Sequence, residues 1–474
     1  MTRLFALLPE ITLLVGGLAI FTALMADPGG SRGARNTARV VALLLVVACL
    51  ESFRAESTML WGSYRVDRFS QLIKLAVAAG FALSVFIARS GEGQRDDARG
   101  ELFFFLLTST AGLMMMASAV EAVALYLSLE IASYSLFVLV PLRERFAKGK
   151  EAGLKFVVVG LASSAVTLYG LSLLIGITGS TRLAAIAVAP ALVGGAPLAI
   201  FALGLFAAGF LFKLAFFPFH FWAPDVYEGS SNGVAAFVAT ASKVAALAIV
   251  ARLLVIAGLN SRSLAIALAA AASIAMTLGN LVAIVQRDLK RMLAWSAVAQ
   301  AGYLAVGLIA FTSQGIASAL FYGLIYLLMN AGAFLVVARV ASDGSNVSLD
   351  DLRGLHARAP LLAATLLLSL FALAGVPPTA GFIGKWLLFR AAMAQGWWWL
   401  VLLGAINSTI SVYYYLIVVK HAYLLPADQA PQPVRLTLGD HAVCLGLCGA
   451  LLILGLYPTP VFDWAAGAAE ALLR

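Results

Sequence analysis

The chain has 474 residues, 62% of them hydrophobic and 12% charged, with a mean hydropathy of +0.96; this excludes a set of soluble domains and identifies a polytopic membrane protein. Its net charge of +9 is dispersed through short loops with no basic patch or tail, which argues against nucleic acid as a partner. Cys49, Cys444 and Cys448 lie within apolar runs and fit neither a disulfide framework nor a zinc site.

The first apolar run follows Arg3 as a signal peptide would, but Glu10 interrupts it and it continues to about Met25, so a retained first helix is expected. Apolar runs of about 20 residues then recur to the end of the chain. They predict an all-α fold of 14 spans: 4–25, 38–54, 66–88, 101–119, 121–141, 152–176, 197–222, 232–257, 262–285, 290–312, 315–340, 360–392, 396–422 and 438–458. One membrane domain, 1–474, is expected, with three N-terminal helices in 1–100, five-helix groups in 101–257 and 262–422, and a C-terminal helix in 438–474. Lys and Arg gather after segment 1 (Arg32, Arg35, Arg39), segment 3 (Arg89, Arg95, Arg99), segment 5 (Arg143, Arg145, Lys148, Lys150), segment 9 (Arg287, Lys290, Arg291), segment 11 (Arg353, Arg358) and segment 13 (Lys420, Arg435). By the positive-inside rule these loops are cytoplasmic, so an even number of spans leaves both termini outside.

Segments 7 and 12 are irregular. Pro218 lacks an N–H and crowds the carbonyl four residues back, at Leu214, which frees that oxygen beside Lys213. Segment 12 is too long to cross a ~30 Å core as one straight helix and carries Gly375-Val376-Pro377-Pro378-Thr379-Ala380-Gly381 in its middle, so a break is expected there. Lys385 follows Pro378 by seven residues, two helical turns, and lies on the face of the break. The two segments thus share a proline break with a lysine within two turns. Five segments separate them, an odd number, so a repeat joining them, segments 4–8 with 9–13, has inverted topology.

Four charges fall at membrane depth: Glu130, Lys213, Lys243 and Lys385. An intramembrane charge costs roughly 3 kcal/mol on insertion scales, which makes each a candidate functional residue. The bland alternatives are a Glu130 capped by hydroxyls such as Ser128 or Ser133, a Lys243 in a polar interhelical contact, and snorkelling for Lys213 and Lys385. Both signs are present, so Glu130 paired with Lys213 or Lys243 satisfies each charge. Such a pair at ~4 Å is worth about 4 kcal/mol at an effective dielectric near 20, close to the ~3.5 kcal/mol needed to move one proton against ~150 mV. His220 is either a proton relay or an interfacial hydrogen-bonder. Tyr303, Asn407, Ser411 and Tyr413 to Tyr415 are candidate water-holding groups or, for the tyrosines, an interfacial belt like Trp397 to Trp399. Asp225 and Glu228 are expected to be solvated or to cap the next helix. No Walker loop, dinucleotide fingerprint, metal-ligand spacing or CxxC occurs, so no redox chemistry is expected in this chain.

FKLAFFPFHFWAPDVYEG with the following TASK, NLVAIVQRDLKRMLAWSAVAQAGY (Asn280 to Tyr303) and LAGVPPTAGFIGKW (Leu373 to Trp386) resemble the antiporter-like membrane subunits of respiratory complex I, over about Leu102 to Tyr423. The resemblance implies 14 helices with inverted repeats at segments 4–8 and 9–13 and broken helices 7 and 12. It assigns proton-path roles to Glu130, Lys213, Lys243 and Lys385. It further implies a proton-translocating subunit of a bacterial NADH:quinone oxidoreductase in the cytoplasmic (inner) membrane, bordered by lipid, by other complex I membrane subunits and by a neighbouring antiporter-like subunit. FMN, iron–sulfur clusters and quinone then belong to other subunits, and no cofactor or metal is expected in this chain. A secondary cation/proton antiporter and a non-transporting structural subunit are the alternatives. Gly229-Ser230-Ser231-Asn232-Gly233 departs from the family, which usually has prolines in that connection.

Overall fold

The computed structural model describes residues 5–26, 31–88, 100–143, 147–257, 262–341, 343–426 and 434–473. Arg3, Arg89, Arg95, Arg99 and Arg145 lie outside the described residues. Thirteen of the described helices are long and apolar enough to cross a membrane, and segment 12, split into Pro360–Ala374 and Ala380–Ala394, completes the expected fourteen. The protein is an all-α, multi-pass membrane protein. Segments 8, 10 and 11 are buried almost throughout, whereas segments 1, 6, 9, 13 and 14 each turn an apolar face outward. This is the expected division between helices surrounded by protein and helices facing lipid, because lipid accepts apolar side chains as readily as a protein core does.

Both breaks fall where the prolines predict, and they share one hydrogen-bond pattern. Segment 7 ends its first half, Pro197–Leu214, with Ala215 in the left-handed region (φ 56°); segment 12 ends its first half with Gly375 (φ 83°). Phe216 N donates to Leu211 O (3.0 Å) and Ala215 N to Phe212 O (2.9 Å), as Val376 N does to Phe371 O (2.9 Å) and Gly375 N to Ala372 O (3.1 Å). These are paired Schellman caps, which satisfy the last carbonyls of a helix by turning the chain back on itself. Phe219 N to Phe216 O and Thr379 N to Val376 O continue the correspondence at the same offset along the chain. The prolines, Pro218 and Pro378, occupy matching places after the caps. In this register Lys213 matches Leu373 and Lys385 matches Asp225, so the two lysines near the breaks are not positional counterparts.

The structure adds features that hydropathy did not indicate. Segment 8 is itself interrupted: Asn232–Ala239 and Ala241–Ile256 meet at Thr240, whose φ of −113° and ψ of −88° are non-helical. A hairpin, Ser57–Met59 with Tyr64–Val66, precedes segment 3 (Arg68–Ile87), and its residue Tyr64 bridges to Ala119 between segments 4 and 5. A further helix, Thr459–Leu473, follows segment 14 and packs against segments 3 and 11, burying Ala465, Ala468 and Ala469 at helical spacing.

Candidate functional site

The half-helix Trp222–Gly229 completes segment 7, and the chain passes into segment 8 through extended Ser230 and Ser231. The glycines flanking this joint permit close packing. A Cβ on Gly229 would lie 2.4 Å from Ala152 Cβ, and one on Gly233 would lie 2.6 Å from Ala88 Cβ.

The break carbonyls collect the lysines. Lys243 Nζ donates to Leu214 O (2.7 Å), the oxygen freed four residues before Pro218; it is thus Lys243 of the next segment that takes this carbonyl, rather than the adjacent Lys213. Trp222 Nε1 donates to Phe212 O (2.8 Å), and its ring lies 5.9 Å from Lys243 Nζ. In segment 12, Lys385 Nζ donates to Ala374 O (3.0 Å), four residues before Pro378, and to Ser408 Oγ (2.9 Å), and stands 4.4 Å from the Tyr303 ring centroid. Both ammonium groups thus meet the negative end of an interrupted helix, where unsatisfied carbonyls and the helix dipole favour a cation. Lys213, Lys243 and Lys385 are each at most 4% exposed, which removes snorkelling as the explanation.

Glu130 and Lys213 correct the expected ion pair. Among the described residues neither Lys213 nor Lys243 is within ion-pairing distance of Glu130. Ser164 Oγ of segment 6 donates to Glu130 Oε1 (2.5 Å), and Lys213 Nζ donates to Ser133 Oγ (3.1 Å), three residues from Glu130 on the same helix. Ser128 and Ser133 donate to backbone carbonyls of segment 5, so neither caps the carboxylate. Hydroxyls separate the two charges because segment 5 presents its short side chains on the Lys213 side. Asp225 and Glu228 also differ from expectation. They join an ion-pair cluster in which Lys148 meets Glu228 (2.5 Å), Lys155 meets Asp225 (2.8 Å) and Arg291 meets both (2.7 and 2.8 Å), tying the half-helix to segments 6 and 10.

In the second half, Asn280 Nδ2 donates to Tyr303 Oη (3.2 Å) and Asn407 O (3.1 Å), and Tyr414 Oη donates to Asn280 Oδ1 (3.0 Å). Tyr303, Asn407 and Tyr414 are thereby brought together around an asparagine that hydropathy gave no reason to single out. Tyr414 and Tyr415 are buried, and Tyr413 faces outward but about four turns along the helix from Trp398 and Trp399, so none of the three tyrosines is level with that belt. His220 is fully buried against Phe217, Phe221 and Trp295, and is not interfacial. A second charged pair was missed: Lys74 of segment 3, wholly buried, lies 2.5 Å from Glu10 of segment 1, whose carboxylate also accepts from Tyr64 Oη (2.5 Å). Lys74 is a charge inside an apolar run, the same signal that marked the other lysines.

The family model described as NADH:quinone oxidoreductase/Mrp antiporter, TM, matches residues 119–411, a stretch that contains Glu130, Lys213, Lys243 and Lys385. The chain belongs to this family. Among its relatives, NADH-quinone oxidoreductase subunit N 2 of Solidesulfovibrio magneticus is 43% identical over 473 residues, covering 99% of each chain. The protein of the same name from Syntrophobacter fumaroxidans is 42% identical over 98% of each. A chain of respiratory complex I from Thermus thermophilus superposes with a TM-score of 0.84 at 33% identity, over 97% of this chain and 99% of that one. An antiporter-family fold is shared more widely: a chain of the Mrp complex from Dietzia sp. DQ12-45-1b gives a TM-score of 0.88 at 21% identity over 100% and 98%. Glu10 and Lys74 lie outside the stretch that defines the family.

Proposed function

We propose that the chain is the N-type, proton-translocating membrane subunit of a bacterial NADH:quinone oxidoreductase, in which Glu130, Lys213, Lys243 and Lys385 carry the protons. The observation that carries the site reading is the placement of Lys243 and Lys385 on the carbonyls of Leu214 and Ala374, one at each break. A buried amine on a carbonyl can gain and lose a proton without stranding a counter-charge. Glu130 acts on Lys213 through the segment 5 hydroxyl face, Lys243 is the next station inward, and Lys385 exchanges with the second outlet or with a neighbouring antiporter-like subunit. Segments 4–8 and 9–13 form the two repeats, the membrane is the cytoplasmic one, and both termini face away from the Lys- and Arg-rich loops. NADH oxidation, with its flavin, clusters and quinone, occurs in partner subunits.

Full-length relatives named as oxidoreductase subunits support this over a free-standing antiporter, to which the likeness is one of fold. Replacing Lys213 by Ala in the assembled complex tests the site: proton pumping per NADH oxidised is expected to fall, and wild-type coupling overturns the role. Flavin and NADH oxidation in the native purified assembly test the identity of the complex.

A further inference from the structure

The end of the bundle opposite the Lys- and Arg-rich loops has few basic residues, yet three guanidinium groups line a single cavity of about 550 Å3 there. Arg65 comes from the hairpin, Arg182 from the connection between segments 6 and 7, and Arg252 from the last turns of segment 8. Arg252 is 5% exposed; it donates to Ala119 O (2.5 Å) and Ala117 O (3.0 Å) and covers the Phe69 ring at 4.8 Å. Arg182 donates to Trp61 O (3.2 Å), and Arg65 donates to Ala471 O (2.9 Å) and pairs with Asp67 (2.8 Å). Among the described residues no carboxylate lies within ion-pairing distance of Arg182 or Arg252; Asp67, already paired with Arg65, is the nearer acid acting on Arg252, and Glu121 stands opposite Arg182 in an antiparallel bridge, so the three guanidinium groups directly meet one carboxylate.

Carbonyl partners satisfy the geometry of a buried guanidinium but do not neutralise it, and an uncompensated buried charge is strongly unfavourable. The missing component is an anion. Two guanidinium planes without carboxylates suit the bidentate recognition of phosphate oxygens. The rest of the wall is apolar: Leu183, Val188 and Leu472 line the same cavity, and Val188 is 72% exposed to the bundle surface. A cationic pocket opening onto an apolar ledge at the end of membrane-spanning helices matches an amphiphile with an acidic head.

We propose that this cavity binds the phosphodiester headgroup of an anionic phospholipid, with an acyl chain on Leu183, Val188 and Leu472. The lipid adds the directly bonded anion that Arg182 and Arg252 lack and seals the N-terminal hairpin and the C-terminal helix to the end of segment 8. The site is independent of the proton-path reading, because it requires only that the chain spans a membrane.

The test uses the native assembly in phosphatidylcholine nanodiscs doped with a photoactivatable phosphatidylglycerol, and, in a parallel arm, with the phosphatidylcholine analogue. Cross-linked peptides are mapped by mass spectrometry. Peptides carrying Val188 and Leu472 are expected to be labelled preferentially by the anionic analogue, and Arg65→Gln with Arg182→Gln is expected to reduce that labelling about tenfold or more. Arg252 is left intact in these variants so that segment 8 keeps its packing. Equal labelling by the two analogues overturns the proposal, as does labelling unchanged in the double variant. Loss of labelling on adding millimolar inorganic phosphate assigns the pocket to free phosphate and overturns the lipid as its source. Absence of labelling in the native assembly, with labelling once partner subunits are stripped away, assigns it to a partner's acidic side chain and likewise overturns the lipid.

Discussion

Glu10→Gln removes the only acidic partner, among the described residues, of a lysine that has no access to solvent, and its cost follows from the geometry. Lys74 is wholly buried, Glu10 is 20% exposed in its side chain, and the two are 2.5 Å apart. Tyr64 cannot replace the lost charge: burial, with the adjacent Glu10 carboxylate, holds its hydroxyl well above the ordinary phenol range, so it remains a neutral donor. Breaking a buried pair costs roughly 3–5 kcal/mol, and the partial exposure of Glu10 places this case near ~3 kcal/mol. Lys74→Met strands a carboxylate that keeps Tyr64 and some water, so a smaller loss is expected. Glu10→Gln with Lys74→Met removes both charges and should return to within about 1 kcal/mol of wild type, since apolar replacements of buried pairs are often neutral. The assay is thermal dissociation of this subunit from the purified assembly, alongside NADH-driven pumping. A double variant as unstable as Glu10→Gln refutes the reading of a structural pair, and so does a Lys74→Met variant less stable than Glu10→Gln.

Lys243→Met leaves Leu214 O without its side-chain donor and removes the amine that the proposed path places there, so reduced pumping per NADH is expected, and unaltered coupling argues against a working role for this contact. Gly381→Ala and Gly455→Ala place a Cβ 1.8 Å from Ala372 O and 2.0 Å from Pro378 O, both backbone atoms at the segment 12 break, and each should destabilise the assembly by roughly 1–3 kcal/mol in thermal melts. Gly467→Ala meets nothing within 4 Å and serves as the control, with a neutral or slightly stabilising effect expected. Arg291→Gln leaves Asp225 with Lys155 and Glu228 with Lys148; these pairs are partly exposed, so a loss of about 1 kcal/mol that shrinks in high salt is expected from melts at two ionic strengths.

What was legible in the sequence is what a single residue announces. Pro218 and Pro378 announce the breaks because they remove a donor, and lysines inside apolar runs announce a polar interior. The break at Thr240 carries no proline or glycine, so no single residue announces it. Asp225 and Glu228 read as solvated because their partners, Lys148, Lys155 and Arg291, are more than 60 positions away along the chain. Lys74 lies only a turn and a half beyond Arg68, where a lysine looks interfacial, and its partner Glu10 belongs to the first helix. The helix Thr459–Leu473 is short, interrupted by Asp463 and Glu470, and buries only alanines, so hydropathy passes over it.

Four of the five buried lysines, Lys74, Lys213, Lys243 and Lys385, fall into two chemical settings, and the difference bears on the roles proposed for them. Lys74 faces a carboxylate, and if it loses its proton a partly buried anion is left with Tyr64 and some water as its partners. Lys243 and Lys385 face carbonyls, and Lys213 faces a hydroxyl; these acceptors are neutral, so deprotonation leaves no directly bonded counter-charge behind. The proline breaks supply these neutral acceptors, since an intact helix has no free carbonyl at mid-length. Under the proposed function, a carboxylate partner makes a staple and a break carbonyl makes a station. This is why the missed pair is assigned to holding the N-terminal helices, and why the proposed function centres proton transfer on the repeated break.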